Sequence, residues 1–193
     1  MDEIDVNSER FKVIIIGDSA VGKSSIASRQ CNNEFSTNLN PTIGSAHLLS
    51  KVNLGDKTVT LVIWDTAGQE EFAPLVPMYA RKANCALIVG SVTSPDSIRN
   101  MTKWEDMLYQ SGEKPPVLAV VNKLDLAKDE QDTIDTISIQ LRNNFSPIFY
   151  VSAKTGNGIN ELFVEVARKC LDSLKIADES LPITPEKKSS SCC

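Results

Sequence analysis

The chain has 193 residues, of which 41% are hydrophobic and 23% are charged, and its formal net charge is −5. This length and hydrophobic content suit one compact domain with a buried core and a tail. The negative charge argues against a nucleic-acid-binding surface, and the lack of a long apolar run or an apolar N-terminal segment argues against a membrane helix or secretory signal, so we expect a cytosolic protein.

Short apolar runs alternate with amphipathic segments along the chain. Six runs have the composition of strands: residues 13–16, 47–54, 59–64, 86–90, 117–121 and 148–151. The spacing of apolar residues predicts helices at 23–30, 97–110, 130–142 and 159–174, and a short irregular helix at 68–81. This alternation indicates the α/β class, with a mainly parallel sheet covered on both faces. We predict a flexible N-terminus at 1–9, one domain at 10–175 and a disordered tail at 176–193.

The first motif follows the first strand. Residues 17–24 read Gly-Asp-Ser-Ala-Val-Gly-Lys-Ser. A strand that leads through such a loop into a helix can wrap backbone N–H groups round a phosphate chain. The Lys23 cation would face the terminal phosphates, and the Ser24 hydroxyl would ligate Mg²⁺. The motif predicts a nucleoside triphosphate site built from Ser19, Ala20, Val21, Gly22, Lys23, Ser24 and Ser25.

A second motif selects the base. Residues 122–125 read Asn-Lys-Leu-Asp and directly follow strand 117–121, at the carboxyl edge of the sheet where ligands bind. The Asp125 carboxylate can accept both the ring N1–H and the exocyclic amino group of guanine, which adenine does not offer in that arrangement. The Lys123 stem can lie over the ring, and Asn122 can tie this loop to the phosphate loop. The motif therefore predicts a guanine nucleotide.

Two further features suit the same base. Ser152, Ala153 and Lys154 directly follow the last strand, so the Ala153 N–H can donate to guanine O6 and Lys154 can cover the ring. Phe35, in a polar loop, would be an unusual exposed aromatic residue unless it covers the guanine.

The residues expected to act on the γ-phosphate lie in two other segments. Residues 64–70 read Trp-Asp-Thr-Ala-Gly-Gln-Glu, and Asp65 ends a strand, as a carboxylate that holds Mg²⁺ through water should. The Gly68 N–H can reach the γ-phosphate, and the Gln69 amide, which is both donor and acceptor, can orient the attacking water. The Thr42 hydroxyl could complete the Mg²⁺ shell, and its N–H could bond the γ-phosphate until hydrolysis releases the loop. Gln69 is thus the predicted catalytic residue.

With these motifs in order, the chain resembles the Ras superfamily of small GTPases and, within it, the Rab family. The Thr42-Ile43-Gly44 run, the Trp before Asp65-Thr66-Ala67-Gly68 and the Cys192-Cys193 pair favour Rab over its relatives. The phosphate loop and Pro77-Met78-Tyr79 are most similar to the early-endosomal branch. The resemblance implies a three-layer P-loop GTPase fold with a six-stranded, mostly parallel sheet, a monomeric G domain, and a cycle between an effector-recruiting GTP form and a GDP form.

The resemblance also implies partners and a membrane anchor. The partners are effectors, a guanine-nucleotide exchange factor, a GTPase-activating protein, a GDP-dissociation inhibitor and a prenylation escort. Geranylgeranyl groups on both Cys192 and Cys193 would anchor the protein stably, where one chain would be marginal. We therefore expect it in the cytosol and on the cytosolic face of endosomal or vesicular membranes.

Two positions depart from the family pattern in regions that partners contact. His47 stands where Rab proteins usually carry phenylalanine, so the aromatic patch that effectors read would be His47, Trp64 and Tyr79, with Ile43 also on the effector surface. Glu71 stands where arginine is usual and reverses a charge that exchange factors contact. These departures concern the identity of the partners.

Other functions remain alternatives. A GTP-binding scaffold with negligible hydrolysis is disfavoured by Gln69, and a Ras-type signalling switch by the lack of a terminal Cys-a-a-X pattern. A metabolic P-loop kinase would leave the motif at 122–125 unexplained. No arginine precedes Thr42 in its loop, so we expect slow intrinsic hydrolysis that a partner's arginine accelerates by roughly 10³ to 10⁵.

Overall fold

The structure, a computed structural model, describes residues 9–37, 42, 44–55, 57–68 and 70–179. For residues 70, 71 and 175–179 it describes the backbone alone. Residues 1–8 and residues 180–193 of the tail predicted at 176–193 lie outside this description, so the predicted domain limits stay predictions.

The described residues contain one six-stranded sheet with strand order β2-β3-β1-β4-β5-β6. The strands are β1 Arg10–Ile16, β2 Ser45–Asn53, β3 Thr58–Thr66, β4 Cys85–Ser91, β5 Val117–Asn122 and β6 Ile148–Tyr150. The β2–β3 pair is antiparallel and the other pairs are parallel. The predicted hairpin closes where the Leu54 N–H donates to the Lys57 carbonyl oxygen at 2.8 Å.

Within the described ranges, six α-helices cover the sheet. They are α1 Lys23–Asn32, α2 Val76–Ala80, α3 Pro95–Arg99, α4 Met101–Tyr109, α5 Glu130–Leu141 and α6 Ile159–Glu179. Short 3₁₀ helices span Glu70–Leu75 and Leu124–Leu126. The first of these, with α2, forms the irregular helical segment predicted around two prolines.

The core is divided by the sheet into two layers because successive side chains of a strand point to opposite faces. Val13 and Ile15 of β1 are buried against α1 and α6. Ile14 and Ile16 of the same strand are buried on the other face with residues of α2 to α5. The predicted α/β fold, with helices on both faces of a mostly parallel sheet, is confirmed.

One predicted helix is divided in two. The apolar spacing predicted one helix over 97–110, whereas α3 ends at Arg99 and α4 begins at Met101. Between them, Asn100 has ψ near −9° rather than the helical value near −42°. Its side-chain amide donates to Asp18 Oδ2 at 2.9 Å, which joins this turn to the phosphate loop.

Candidate functional site

A cavity of about 490 Å³ lies at the edge of the sheet where β1, β5 and β6 end. This volume lies in the range that holds small-molecule ligands and cofactors. The residues that line it are Ser19, Ala20, Gly22, Lys23, Ser24, Ser25, Phe35, Ser36, Thr37, Thr42, Thr66, Gly68, Asn122, Lys123, Asp125, Leu126, Ala153 and Lys154. Every predicted nucleotide-binding residue is among them except Val21 and Ser152. These two residues are hydrogen-bonded to the lining residues Asn122 and Asp125, respectively.

Lys23 lies at one end of the cavity and is only 5% exposed. Its Nζ donates to the carbonyl oxygens of Gly17 at 2.9 Å and Asp18 at 2.7 Å. Burial lowers the pKa of Lys23 to about 8, although the carboxylates of Asp65 and Asp18 oppose this shift. A polyphosphate chain would favour the charged form, because it places opposite charge beside the ammonium group.

The N-terminus of α1 opens onto the same end. Its N-cap is Gly22, at φ 101°, and no side chain accepts a hydrogen bond from the first turn as a cap. The first N–H groups of a helix have no partner within the helix and carry its positive dipole end. This end of the cavity therefore suits an anion.

The loop after β3 packs directly on the phosphate loop at Gly68. A Cβ atom at this position would lie 2.1 Å from Lys23 Nζ and 2.6 Å from the Asp18 carbonyl oxygen. Movement of the Lys23 side chain alone would not remove both clashes, because the second is with the backbone of Asp18. Only glycine fits this approach, which leaves its N–H close to the place where terminal phosphates would lie.

Three oxygen-bearing side chains near Lys23 test whether Mg²⁺ fits. Ser24 Oγ and Thr42 Oγ1 are 2.8 Å apart, and Thr42 Oγ1 donates to Asp65 Oδ2 at 3.2 Å. Asp65 is 3% exposed, its Oδ1 has no hydrogen-bond partner, and burial raises the pKa of its carboxyl group. A buried carboxylate oxygen without a partner beside two hydroxyl groups is the kind of oxygen donor set that Mg²⁺ takes. The residues fit the ion.

Asn122 joins three loops at the middle of the cavity. It is 1% exposed, and its Nδ2 donates to the Val21 carbonyl oxygen at 3.0 Å. Its Oδ1 accepts from the Ala153 N–H at 3.1 Å. The predicted tie to the phosphate loop is present. The Ala153 N–H, predicted to meet guanine O6, donates to Asn122 in this structure.

Asp125 lies at the other end of the cavity. Its side chain is 13% exposed, its Oδ1 accepts from Ser152 Oγ at 2.6 Å, and its Oδ2 is 3.8 Å from Lys154 Nζ. Ser152 therefore acts behind the cavity wall by fixing the carboxylate. Lys123, two positions before Asp125, has a left-handed backbone with φ 64°. Phe35 lines the cavity and is half-buried against the core.

Sequence reasoning missed several residues at or behind the wall. Ser36, Thr37, Thr66 and Leu126 also line the cavity. Leu126 is 55% exposed, and an apolar residue one position after the base motif was a usable signal. No local pattern indicated Asp18, whose Oδ1 accepts from Trp104 Nε1 at 2.7 Å across 86 positions of sequence.

The predicted aromatic patch assembles on the β2–β3 surface. The ring centroids of His47 and Trp64 are 3.9 Å apart, and those of Trp64 and Tyr79 are 6.2 Å apart. Lys12 Nζ lies 3.9 Å from the Trp64 ring centroid. His47 is exposed, whereas Tyr79 is largely buried, so the outer part of the patch consists of His47 and Trp64.

Other predicted positions lie outside the described residues: Gln69, Ile43, Cys192 and Cys193, and the side chain of Glu71. Across the part of the chain that the structure describes, no helix combines the length and apolarity needed to cross a membrane.

Comparison with known proteins agrees with this site. A family model described as "Ras family" matches residues 12–172. The chain is 33% identical over 171 residues to "Ras-related protein Rab-21" of Mus musculus, covering 88% of this chain and 77% of the relative. It is 40% identical over 163 residues to "Ras-related protein Rab-5A" of Dictyostelium discoideum, covering 83% and 80%. It is 39% identical over 162 residues to "GTP-binding protein ypt5" of Schizosaccharomyces pombe, covering 82% and 76%. The chain therefore belongs to the Ras family and, as its motifs predicted, to the Rab proteins within it.

Proposed function

We propose that this chain is a Rab-type molecular switch, which hydrolyses GTP to GDP and phosphate and, in its GTP form, recruits effectors to endosomal membranes. The observation that carries the proposal is one cavity with two different ends. A buried lysine and an uncapped helix N-terminus form one end, and a hydrogen-bonded carboxylate forms the other. The ends suit a polyphosphate and a guanine, and the names of the relatives favour this reading over a Ras-type signalling switch or a non-hydrolysing scaffold.

At the phosphate end, Lys23 and the first N–H groups of α1 bind the β- and γ-phosphates. Ser24 and Thr42 would hold Mg²⁺ directly and Asp65 through water, and the bound ion would neutralise charge on the phosphate oxygens. Gly68 lets its backbone approach the γ-phosphate without a side chain in the way. Binding at this end therefore distinguishes GTP from GDP through groups on two separate loops.

At the base end, Asp125 accepts the guanine N1–H and the amino group, while Ser152 holds the carboxylate in place. Against adenine the same carboxylate would lose both hydrogen bonds while the base covers it, which disfavours ATP strongly. Lys123, Lys154 and Phe35 cover the faces of the base. This end fixes the identity of the nucleotide in both forms of the cycle.

For hydrolysis, we propose that Gln69 orients the attacking water toward the γ-phosphate. The residues placed around the cavity bind and neutralise the phosphates, and the described lining set contains no arginine. Intrinsic hydrolysis is therefore slow, and an activating protein accelerates it.

The remaining parts of the proposal concern the membrane and the partners. We propose that Cys192 and Cys193 carry two geranylgeranyl groups, added with a prenylation escort, and that a GDP-dissociation inhibitor binds the GDP form. The G domain, at about 10–175, acts as a monomer whose effectors and exchange factors contact the surface around His47, Trp64 and Glu71. Membrane loss of the Cys192→Ser, Cys193→Ser variant, beside a Cys31→Ser control, tests the anchor.

Competition between nucleotides tests the proposed switch. Purified protein is loaded with a fluorescent GDP, and unlabelled GTP, GDP and ATP compete for the site. We expect GTP and GDP to displace the probe at concentrations at which ATP does not. Single-turnover hydrolysis of bound GTP, with a Gln69→Leu variant as the control, then tests the reaction. Equal displacement by ATP would refute the guanine site, and wild-type turnover in Gln69→Leu would refute the role of that glutamine.

A further inference from the structure

Arg29 lies in α1, outside every nucleotide motif, and does not line the cavity. Its guanidinium nevertheless reaches the loop after β6, 124 positions away in sequence. Nε donates to the Ala153 carbonyl oxygen at 2.8 Å, and Nη2 donates to the Lys154 carbonyl oxygen at 2.8 Å. These two residues form the wall of the cavity at its base end.

The same guanidinium also contacts the segment that leads from α1 to Phe35. Its Nη1 donates to the Asn33 carbonyl oxygen at 2.8 Å and to Asn33 Oδ1 at 3.2 Å. Asn33, the C-cap of α1, has the left-handed conformation with φ 55°, and Phe35 lines the cavity two residues later. One side chain therefore ties together the two chain segments that flank the base.

The geometry requires arginine rather than any cation. All four acceptors are uncharged oxygens, and three nitrogens of one planar group reach them in different directions. A lysine at this position would keep the charge but has a single nitrogen and lacks the fixed fork. The contacts therefore depend on the shape of the group more than on its charge.

We propose that Arg29 is a positioning residue for guanine recognition, which holds the Ala153–Lys154 backbone where the Ala153 N–H can meet the base oxygen. This inference rests on the proposed guanine site. In the structure that N–H donates to Asn122 Oδ1 at 3.1 Å, so a base oxygen must share or take the bond. A small displacement of the loop would decide between the two acceptors.

The test compares nucleotides that differ at one base atom. Competition against fluorescent GDP gives affinities for GDP, 6-thio-GDP and IDP with wild type, Arg29→Lys and Arg29→Gln. Sulfur is a weaker acceptor than oxygen, so the ratio of GDP to 6-thio-GDP affinity reports the contact at O6. IDP lacks the amino group, so the ratio of GDP to IDP affinity reports the contact of Asp125. Arg168→Lys, at an exposed arginine of α6, is the matched control.

We expect both Arg29 variants to bind GDP up to about tenfold more weakly, because they lose roughly one hydrogen bond between uncharged groups. Their preference for GDP over 6-thio-GDP should fall toward parity, while their preference for GDP over IDP stays at the wild-type value. Asn33→Gly, which permits the left-handed backbone and removes one acceptor, should give a smaller change in the same ratio.

Each contrary result has a distinct meaning. The inference fails if the Arg29 variants keep the wild-type preference for GDP over 6-thio-GDP. It also fails if their preferences for GDP over 6-thio-GDP and for GDP over IDP fall by the same factor, because Arg29 then does not position this contact in particular. If wild type itself shows no preference for GDP over ADP, the proposed guanine site fails first. Thermal unfolding of each variant identifies any that is unfolded, and Asn33→Gly then supplies the test.

Discussion

Replacement of Asp125 by asparagine tests the contact with the base while changing the folded structure little. Asparagine has nearly the same shape, and its Oδ1 can still accept from Ser152 Oγ, which lies 2.6 Å from the Asp125 oxygen. The oxygen 3.8 Å from Lys154 Nζ becomes an NH₂ group, which opposes the donors of guanine instead of accepting from them. Each lost hydrogen bond to a charged group is worth about 1.5–3 kcal/mol. Because the other oxygen can still accept one bond, the loss of this one weakens GTP binding by about 1.5–3 kcal/mol, or roughly 10 to 10²-fold.

The same substitution should improve binding of xanthine nucleotides. Xanthine carries a carbonyl oxygen where guanine carries its amino group, so the new NH₂ group can donate to it. Competition of GTP and XTP against a fluorescent nucleotide measures both changes. Asp129→Asn is the control, because Asp129 is the exposed N-cap of α5 and asparagine caps equally well. A folded Asp125→Asn protein that binds GTP like wild type and does not gain XTP would show that this carboxylate does not contact the base.

Three further predictions concern the loops around the cavity. Asn122→Ala leaves two buried backbone groups without their partners, so we expect the free energy of unfolding of the nucleotide-free protein to fall by about 2–6 kcal/mol. An unchanged midpoint of thermal unfolding would contradict this. Gly68→Ala places a Cβ 2.1 Å from Lys23 Nζ, so activator-stimulated GTP hydrolysis should fall at least tenfold while GDP affinity changes much less; wild-type turnover would contradict it. Removal of Mg²⁺ with EDTA should speed the release of GDP. It should also change the fluorescence of Trp104, measured in a Trp64→Phe protein, because Trp104 Nε1 donates to Asp18 of the phosphate loop. The Trp104→Phe protein, which keeps Trp64, is the control, and an equal fluorescence change there would refute the assignment to Trp104.

Much of the fold could be predicted because three central strands of the sheet, β1, β4 and β5, are buried on both faces. The runs in β1, β4 and β5 are almost continuously apolar, and short buried runs between amphipathic helices have few other structures available. The exact ends depend on contacts distant in sequence. β1 begins three residues before the predicted start because Arg10 to Lys12 pair with Thr60 to Val62 of β3, a partnership that no local pattern indicates.

The site was predictable where a residue of a motif lines the cavity and less so where it acts through another residue. The lining residues of the phosphate and base motifs stand in short runs with a fixed spacing, so the sequence displays them directly. Arg29 and Asp18 instead depend on partners brought close by the sheet. Asp18 lies in the recognised loop, yet its carboxylate accepts hydrogen bonds from Trp104 and Asn100, which are distant in sequence. Their roles become visible only when the carboxyl ends of β1, β5 and β6 meet.

The contacts around Thr42 indicate how a change in the bound nucleotide could affect the surface proposed to bind partners. Thr42 is joined to Ser24 and Asp65 through the hydroxyl group that is the proposed Mg²⁺ ligand. An ion bound there must replace the hydrogen bond between the two hydroxyls, so binding and release of Mg²⁺ change the support of this loop. Two residues later, the Gly44 carbonyl oxygen accepts from the Ala67 N–H at 2.9 Å, next to Gly68. The two loops proposed to face the γ-phosphate are thus connected to each other where β2 and β3 meet, the strand pair that carries His47 and Trp64. A change at the γ-phosphate therefore has a short route, through backbone contacts, to the surface proposed to bind effectors.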